Sequence, residues 1–445
     1  MCRAVTATFL RTATDHHCRH AASYRPRKGA ASTSCRRTNV ASVTFPPSFR
    51  RQWLASGISN IGDGMDAAAG PLLAASLTND PRLIALVGVG LTLPWLLLSL
   101  PLGVVIDRLD RKVLMVRANV ARCALFALVA VLASTGDMRI GILIAIITLV
   151  GVCEVVFDMS AQAFLPAIVP AEMLERANGR LFATEVVCNT FLGLPLGAWA
   201  FVAAIGTPFA VNAASFGVAA YLVASIRTTI PLSTGGPSDD ERKSFASQLA
   251  DGLRWLFAHR LLRTMAVMLG ICNLATMMGQ ALFVKYASDE LGVTGGGYGV
   301  LLAVMSAGSI LGGLAGDRVA SKFGTSGTIV VSYTTFAVSS LAMGLWRNIP
   351  VAIAASAATA IAGTVWNVAT VSLRQRIIPS ELFGRVNSAY RFIGTGFIAI
   401  GSAIGGFIAK SYDYAAPFLV GGIIMSVTIL VGARTVVRHA ATAGV

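Results

Sequence analysis

Five acidic residues lie inside long apolar segments of the sequence, where an ionised side chain is costly. They are Asp63, Asp66, Glu154, Asp158 and Glu185. An Asp at the centre of a membrane costs about 2.5–3.5 kcal/mol on insertion scales, so such residues usually face a cavity, pair with a cation or bind protons. The chemistry that this set indicates is proton binding and release.

Asp63 and Asp66 are the first candidates for that role. They are three residues apart, so they share one face of a helix, at a depth near its middle. Two neighbouring carboxylates raise each other's proton affinity, and burial adds to this effect. We expect proton coupling through Asp63 or Asp66, with Glu185 as the next candidate. A capping role or a bend around Gly62 and Gly64 is the structural alternative.

One cation, Arg122, also lies inside a predicted membrane-spanning helix. Counted along the helices at 1.5 Å per residue, its depth differs from that of Glu154 by about 3 Å. The sequence therefore predicts a buried ion pair between Arg122 and Glu154. Whether Glu154 has this structural role or takes part in proton binding stays open.

The candidate residues for a solute cavity are amide, thioether and indole side chains, most of them in the second half of the chain. They are Trp95, Asn273, Met277, Gln280, Trp366 and Asn367. A protonatable half that faces an apolar, polarisable half suits a hydrophobic solute, including a cationic one. Trp95 and Trp366 are suited to stack on an aromatic or cationic ligand, although a Trp in such a segment also serves packing or lipid contact.

The composition shows what kind of chain must position these residues. Of the 445 residues, 55% are hydrophobic and 13% are charged, and the mean hydropathy is +0.69, whereas soluble domains carry about 25% charged residues. The net charge is +15, but ten Lys and Arg against one acid fall within residues 1–52. These values exclude a disordered protein, a nucleic-acid-binding domain and an ordinary soluble enzyme, and they indicate a polytopic protein in a lipid bilayer.

Twelve segments are apolar and long enough, at about 20 residues, to span a membrane as helices. They cover residues 53–77, 83–105, 114–136, 140–161, 178–202, 207–227, 264–287, 298–319, 326–345, 350–371, 386–409 and 415–435. Their apolar runs are continuous, whereas the strands of a membrane β-barrel would alternate, so the predicted fold class is an all-α membrane protein.

The distribution of Lys and Arg predicts the orientation. The even-numbered connections and both tails contain thirty of them, and the opposite side contains five. Those five are Arg82, Arg139, Lys285, Arg347 and Lys410. Positive residues favour the cytoplasmic side, so both termini are expected to be cytoplasmic, in the plasma (inner) membrane.

The predicted domain organisation has five parts. They are a basic, disordered tail (1–50), a six-helix bundle (51–230), a cytoplasmic linker (231–263), a second six-helix bundle (264–437) and a short cytoplasmic tail (438–445). Apolar residues at helical spacing from Phe245 to Phe257 predict an amphipathic helix within the linker. We expect residues 1–45 to be dispensable; a transit peptide is the alternative reading of this Arg-rich, acid-poor segment.

Two sequence patterns recur in the two halves. GVVIDRLDRK at 103–112 matches GLAGDRVASK at 313–322, at an offset of 210 residues. PAEMLERAN at 170–178 matches PSELFGRVN at 379–387, at an offset of 209. Matched polar residues at matched topology indicate two parallel six-helix repeats related by an axis along the membrane normal.

These motifs resemble those of the major facilitator superfamily, over residues 51–437. Its signature is matched by Gly103-x-x-x-Asp107-Arg108-x-Asp110-Arg111-Lys112, and Gly313-x-x-x-Asp317-Arg318 is a weaker second copy. Asn60-x-Gly62-Asp63-Gly64 and Leu174-x-Arg176-Ala177-Asn178-Gly179-Arg180 are similar to the drug:proton antiporter branch that includes macrolide-efflux and enterobactin-exporter-like proteins. Gly193-x-Pro195-x-Gly197 resembles the antiporter motif but lacks its Gly-Pro and Gly-Gly pairs.

The resemblance implies a cytoplasmic latch between the two halves. Asp107 would face the start of the eleventh span, and Arg111 would pair with Asp158. The latch residues would be Gly103, Asp107, Arg108, Asp110, Arg111, Lys112, Asp158, Gly313, Asp317 and Arg318. A loop that only fixes topology is the alternative reading.

The sequence lacks the motifs of ATP-driven transport and of common enzymes. It contains no P-loop, no H-E-x-x-H and no G-x-S-x-G. We therefore expect no enzymatic activity, cofactor or metal. The prediction is a monomeric secondary transporter that exports small hydrophobic or amphipathic compounds by alternating access in exchange for protons. The alternatives are a metabolite uptake symporter or facilitator and, less well supported, a membrane sensor or enzyme without transport.

Overall fold

The computed structural model describes residues 45–106, 109–170, 173–227, 245–378 and 380–442. From Phe45 onward the chain packs as one compact unit. The described residues are helical and contain no strands. The helices are α1 (Pro47–Leu77), α2 (Pro81–Ile106), α3 (Arg111–Thr135), α4 (Ile140–Ile168), α5 (174–203), α6 (Thr207–Ala224), α7 (Phe245–Ala258), α8 (Arg260–Gln280), α9 (Gly296–Leu345), α10 (Ile349–Ile377), α11 (Ser380–Ser411) and α12 (Ala416–Thr442).

Eleven segments of the described residues are long and apolar enough to cross a membrane. Each overlaps one of the second to twelfth predicted spans, with ends that differ by up to seven residues, and α9 supplies two of them, Gly296–Gly316 and Ser321–Leu345, the second of which contains a backbone break at Gly324. Gly324 has φ 65° and ψ 173°, a conformation essentially restricted to glycine. The first predicted span coincides with α1, whose polar residues lower its hydropathy, and α1 is not among the eleven.

The helical region begins earlier than the sequence indicates. Pro47 occupies the first turn of α1, where its missing N–H costs no hydrogen bond. Phe45 and Phe49 stack with ring centroids 4.4 Å apart and are buried against Ile168 and Ile226. Residues 45–50, which the sequence assigns to the tail, are therefore part of the packed region, because an aromatic pair anchors them in the core, whereas residues 1–44 of the predicted tail lie outside the described residues.

The two halves repeat the same packing arrangement. In the first half α1 packs on α5 and α6, α2 on α4, and α3 on α6. In the second half α8 packs on α11 and α12, and α9 packs on α10 and α12. Contacts of α2 with α11 and of α5 with α9 join the halves. The amphipathic helix is present as α7, which packs on α11 and α8.

Helix α5 contains a π-helical segment, Val186–Gly193, between the α-helical pieces Leu174–Glu185 and Leu194–Ala203. It crosses α1 at very short range. A methyl group added at Gly64 would collide with the Asn189 carbonyl, and one at Gly197 would collide with the backbone of Met65. Only glycine allows this approach, which brings α5 side chains to the face of α1 that carries the acids.

Candidate functional site

A cavity of about 660 Å³ lies within the first half of the chain. Its walls come from α1, α3, α4 and α5, with one residue of α2. The charged residues that line it are Asp63, Asp66, Arg122, Glu154, Asp158 and Glu185. The structure thus brings together all five acids and the arginine that the sequence singles out.

The two acids of α1 lie one turn apart on the same wall. Both are half-buried, and Oδ1 of Asp66 is shielded from solvent without a hydrogen-bond partner. Electrostatic interactions connect Asp63 to Asp66, Arg122 and Glu185. The carboxyl groups therefore form one coupled set in which the charge on one affects the others.

Arg122 and Glu154 line the same cavity, but the predicted ion pair is not formed in this conformation. The Arg122 guanidinium carbon lies 4.8 Å from the Phe157 ring centroid and 4.5 Å from that of Phe216. Among the described residues no carboxylate lies within 4.0 Å of its nitrogens, and Nε and Nη2 have no hydrogen-bond partner. The aromatic rings hold the cation in place of an acidic partner. The charges of Arg122 and Glu154 still interact at longer range.

None of the six predicted solute contacts lines this cavity. Trp366 is 6% exposed and packs in the core of the second half, with its ring centroid 5.7 Å from that of Tyr333. Asn273 donates a hydrogen bond to the Gly394 carbonyl at 3.0 Å, and Asn367 is exposed. Trp95, Met277 and Gln280 are half-buried elsewhere. The described cavity is thus confined to the first half and is not shared between the halves.

Three latch residues, Asp110, Arg111 and Lys112, make hydrogen bonds within the first half. Asp110 caps α3 by accepting hydrogen bonds from the backbone N–H groups of Lys112 and Val113. Arg111 donates to the Ala163 carbonyl at 3.0 Å, and Lys112 donates to the Ile226 carbonyl at 2.7 Å. These contacts fix the ends of α3, α4 and α6 to one another.

The structure describes only some of the other predicted latch residues. Asp107 and Arg108 lie outside the described residues, and neither the surroundings of Gly103 nor the side chain of Asp317 is described. Gly313 and Arg318 lie in α9, and both are exposed. Asp158 lines the cavity.

Contacts between the halves close the end of the molecule that carries the α1–α2 connection, which we call the far end. Lys285 donates from Nζ to Oδ1 of Asn79 at 2.9 Å, and Tyr414 donates to the Asn79 carbonyl at 3.3 Å. Nζ of Lys410 lies 3.6 Å from Oδ2 of Asp80. These groups form a clamp between residues 79–80 of the first half and three residues of the second half.

Three further ion pairs, made by two arginines, support the far end. Arg82 donates to Asp80 from Nε at 3.1 Å and from Nη2 at 2.8 Å, and this guanidinium holds the pKa of the carboxyl well below its usual range. Arg347 bonds Asp413 at 2.6 Å and Glu290 at 3.0 Å, and these carboxylates raise the pKa of Arg347, Asp413 most strongly. The connections of the second half are thereby tied to one another next to the clamp.

Sequence reasoning missed much of the polar wall. Further polar lining residues are Gln52, Ser56, Ser59, Asn60, Gln162, Asn178 and Asn189. A signal for part of this wall exists in the sequence, since polar residues of α1 from Gln52 to Asp66 recur every three or four positions and therefore share one helix face. The contribution of Asn189 depends on the π-helical segment of α5, which the sequence does not indicate.

Comparisons with known proteins agree with this architecture. Two curated relatives, described as uncharacterised MFS-type transporters of Mycobacterium bovis and Mycobacterium tuberculosis, are each 33% identical over 157 residues. That alignment covers 34% of this chain and spans about a third (35%) of each relative's length.

Solved transporter structures share the fold. The nucleoside transporter NupG superposes with a TM-score of 0.68 at 11% identity, covering 87% of this chain and 99% of that one. A bacterial homologue of the iron transporter ferroportin, in an inward-facing state, gives 0.63 at 14% identity, covering 87% and 98%. At such identities the likeness shows the fold alone.

The family assignment rests on a match over nearly the whole chain. The model of the family described as transmembrane secretion effector matches residues 43–444. Together with the helical repeat, this match shows that the chain belongs to the transmembrane secretion effector family of the major facilitator superfamily.

Proposed function

We propose that this transporter exports small hydrophobic or amphipathic compounds by alternating access, in exchange for protons. The observation that carries the proposal is the cavity of about 660 Å³ with five acids and one arginine on its walls. Its volume is in the range that holds drug-sized ligands. Assignment to the drug:proton antiporter branch, with its macrolide-efflux and enterobactin-exporter-like members, forms part of this proposal.

The clamp supports a direction of access. It closes the far end, whereas Gln52, Gln162 and Asn178 extend the cavity toward the opposite end, next to the α4–α5 connection. The positive-inside distribution of Lys and Arg favours the cytoplasm for that second end. We propose both termini on the cytoplasmic side of the plasma (inner) membrane and a solute that enters the cavity from the cytoplasm.

Proton exchange follows from competition for the same carboxyl groups. A cationic solute favours their ionised form and displaces protons, and protons that bind from the outside displace the solute. Each proton that returns inward gains about 2.3 kcal/mol per 100 mV of membrane potential, in addition to its concentration term. The transporter would work as a monomer, and the latch signature would close the cytoplasmic end when the clamp opens.

The experiment uses everted membrane vesicles with an acidified interior. A panel of lipophilic cations, macrolides, tetracyclines and siderophores is added while the pH gradient is followed, in the wild type and in the Asp63→Asn/Asp66→Asn variant. The exposed acid Asp137 provides the matched control, Asp137→Asn. Collapse of the gradient that is lost only in the double variant supports proton antiport through α1. If the gradient still collapses in that variant, the proton binds elsewhere, and Glu185 is the next residue to test.

No response to any compound would count against export. Alkalinisation of the medium on adding a metabolite to intact cells, with inward accumulation of that metabolite, would support an uptake symporter in its place.

A further inference from the structure

Arg122 presents an unused hydrogen-bonding edge inside the cavity wall. The residue is 4% exposed, and its Nε and Nη2 atoms have no partner. These two nitrogens form one side of the guanidinium, with parallel N–H directions that match the two oxygens of a carboxylate. Leaving such donors unpaired in a buried position is costly, so the edge indicates an acceptor that binds there.

The surroundings fix the direction of this edge. Phe157 of α4 and Phe216 of α6 both lie within 5 Å of the guanidinium carbon. Phe216 also stacks on Phe126, with centroids 5.7 Å apart and an interplanar angle of 12°. The aromatic contacts hold the guanidinium while its Nε–Nη2 edge stays unpaired and shielded from solvent, so a carboxylate reaches the edge when neighbouring side chains of the wall shift.

Another part of the wall offers acceptors in place of donors. Oδ1 of Asp66 and Oε1 of Gln52 are shielded and unpartnered, and Gln52 is 5% exposed. Asp63 lies on the same helix face as both. Gln52 lies about 21 Å from Asp66 along the helix, so it marks the polar end of the wall, whereas a protonated amine at Asp66 would supply the N–H donor and the positive charge that a carboxylate oxygen accepts. The cavity therefore carries two recognition elements of opposite sense.

We propose that the cavity binds an amphoteric solute, with the solute's carboxylate on the Nε–Nη2 edge of Arg122 and its protonated amine at the acids of α1. This inference rests on the proposed transport function and names the substrate class within it. The carboxylate is directed to Arg122, the one cation among the described lining residues, and the amine offsets its repulsion by the acids. An apolar body between the two groups would contact Phe126 and Phe157.

The experiment compares three aromatic ligands that share a para-substituted benzene ring and differ in the charged groups that they carry. They are 4-(aminomethyl)benzoate, which is amphoteric, its methyl ester, which is only cationic, and 4-methylbenzoate, which is only anionic. Equilibrium binding to the purified full-length protein in lipid nanodiscs is measured near neutral pH by calorimetry. We expect the amphoteric ligand to bind about tenfold or more tightly than the ester, a ratio within the range for hydrogen bonds to a charged group. The anionic ligand should bind least.

Variants assign the preference to Arg122. Arg122→Gln should abolish the advantage of the amphoteric ligand while the ester still binds. Arg122→Lys keeps the charge but loses the two-pronged edge, so it should keep only a small part of the advantage. Arg117 is exposed on the same helix, and Arg117→Gln is the matched control that should behave as the wild type. Thermal unfolding confirms that each variant is folded.

Three results would overturn the inference. The first is binding of the ester to the folded wild type as tightly as the amphoteric ligand. The second is full preference for the amphoteric ligand in both folded Arg122 variants. The third is no binding of any of the three ligands to the wild type. These outcomes are separate from the vesicle assay, because that assay detects proton exchange with a cation even when no carboxylate is recognised. Proton exchange without amphoteric preference would reject only the substrate class.

Discussion

The Nζ atom of Lys285 lies 2.9 Å from Oδ1 of Asn79 and joins the two halves of the molecule at the far end. Lys285 is 9% exposed, and among the described residues it also forms an ion pair with Asp289 of its own half, at 3.4 Å. A buried cation shared between the halves stabilises the closed far end only as long as Asn79 stays in reach. In the proposed transport cycle, the far end would lose this bond when the cavity becomes accessible from that side.

Removal of the clamp should favour opening of the far end. In Lys285→Ala, and separately in Asn79→Ala, the labelling rate of Ser76→Cys by a membrane-impermeant thiol reagent should rise about tenfold in intact cells, since a hydrogen bond to a charged group contributes about 1.5–3 kcal/mol. Ser76 lines a small pocket of this region together with Lys285. The measurement uses a background without the native cysteines.

Lys322 is exposed in α9 and provides the control, because Lys322→Ala should leave the labelling rate unchanged. Equal labelling in all variants would show that the clamp does not limit opening.

Stability of the clamp should not depend on pH in the physiological range. Arg82 lowers the pKa of Asp80 below its ordinary value of about 3.9. A group with a lowered pKa stabilises the folded arrangement fully above its ordinary pKa and loses that effect as the pH falls through the lowered value. In the Asp63→Asn/Asp66→Asn background, labelling at Ser76→Cys should therefore stay constant between about pH 5 and pH 8. A rise in labelling as the pH falls within that interval would contradict this assignment.

The close crossing of α1 and α5 should not tolerate a larger residue. Gly64→Ala and Gly197→Ala would each place a methyl group against backbone atoms of the other helix. Overpacking of this kind costs about 1–3 kcal/mol, so thermal unfolding in detergent should occur at lower temperature. A methyl group added at Gly141 in α4 would meet no atom within 4 Å, so Gly141→Ala should be neutral or stabilising. Unchanged unfolding of the crossing variants would mean that the helices lie farther apart.

Trp366 should affect stability more than solute binding. Its indole packs on Tyr333 in the core of the second half, so Trp366→Ala should destabilise the protein by about 3–5 kcal/mol. Trp346 is 58% exposed, and Trp346→Ala should leave thermal unfolding nearly unchanged. A Trp366 variant that unfolds like the wild type but loses solute affinity would restore the role in the cavity that the sequence suggested.

The helices were predictable because the length of each apolar run decides whether a segment can span a membrane. Gly324, where the backbone of α9 breaks, lies in the connection between the predicted spans 298–319 and 326–345. The amphipathic pattern from Phe245 to Phe257 predicts α7. The start of α1 was placed too late, because the polar residues near Arg50 and Arg51 hide the anchoring role of Phe45.

The candidate site was predictable in its acids but not in its geometry. Charges inside apolar runs identify Asp63, Asp66 and Glu154 without any structural knowledge. Arg122 was assigned to Glu154 from depth alone, and depth does not show that two aromatic rings from α4 and α6 reach the guanidinium first. The indole of Trp366 likewise turns to Tyr333, a contact between distant parts of the sequence that no local pattern indicates.

The central claim is that solute and protons compete for the same cavity acids. The most direct measurement follows proton release when a lipophilic cation binds to the purified protein in weakly buffered detergent solution near neutral pH. We predict release of protons in proportion to the cation bound, and loss of this release in Asp63→Asn/Asp66→Asn but not in Asp137→Asn. Saturable binding of the cation to the wild type without any release of protons would contradict the account.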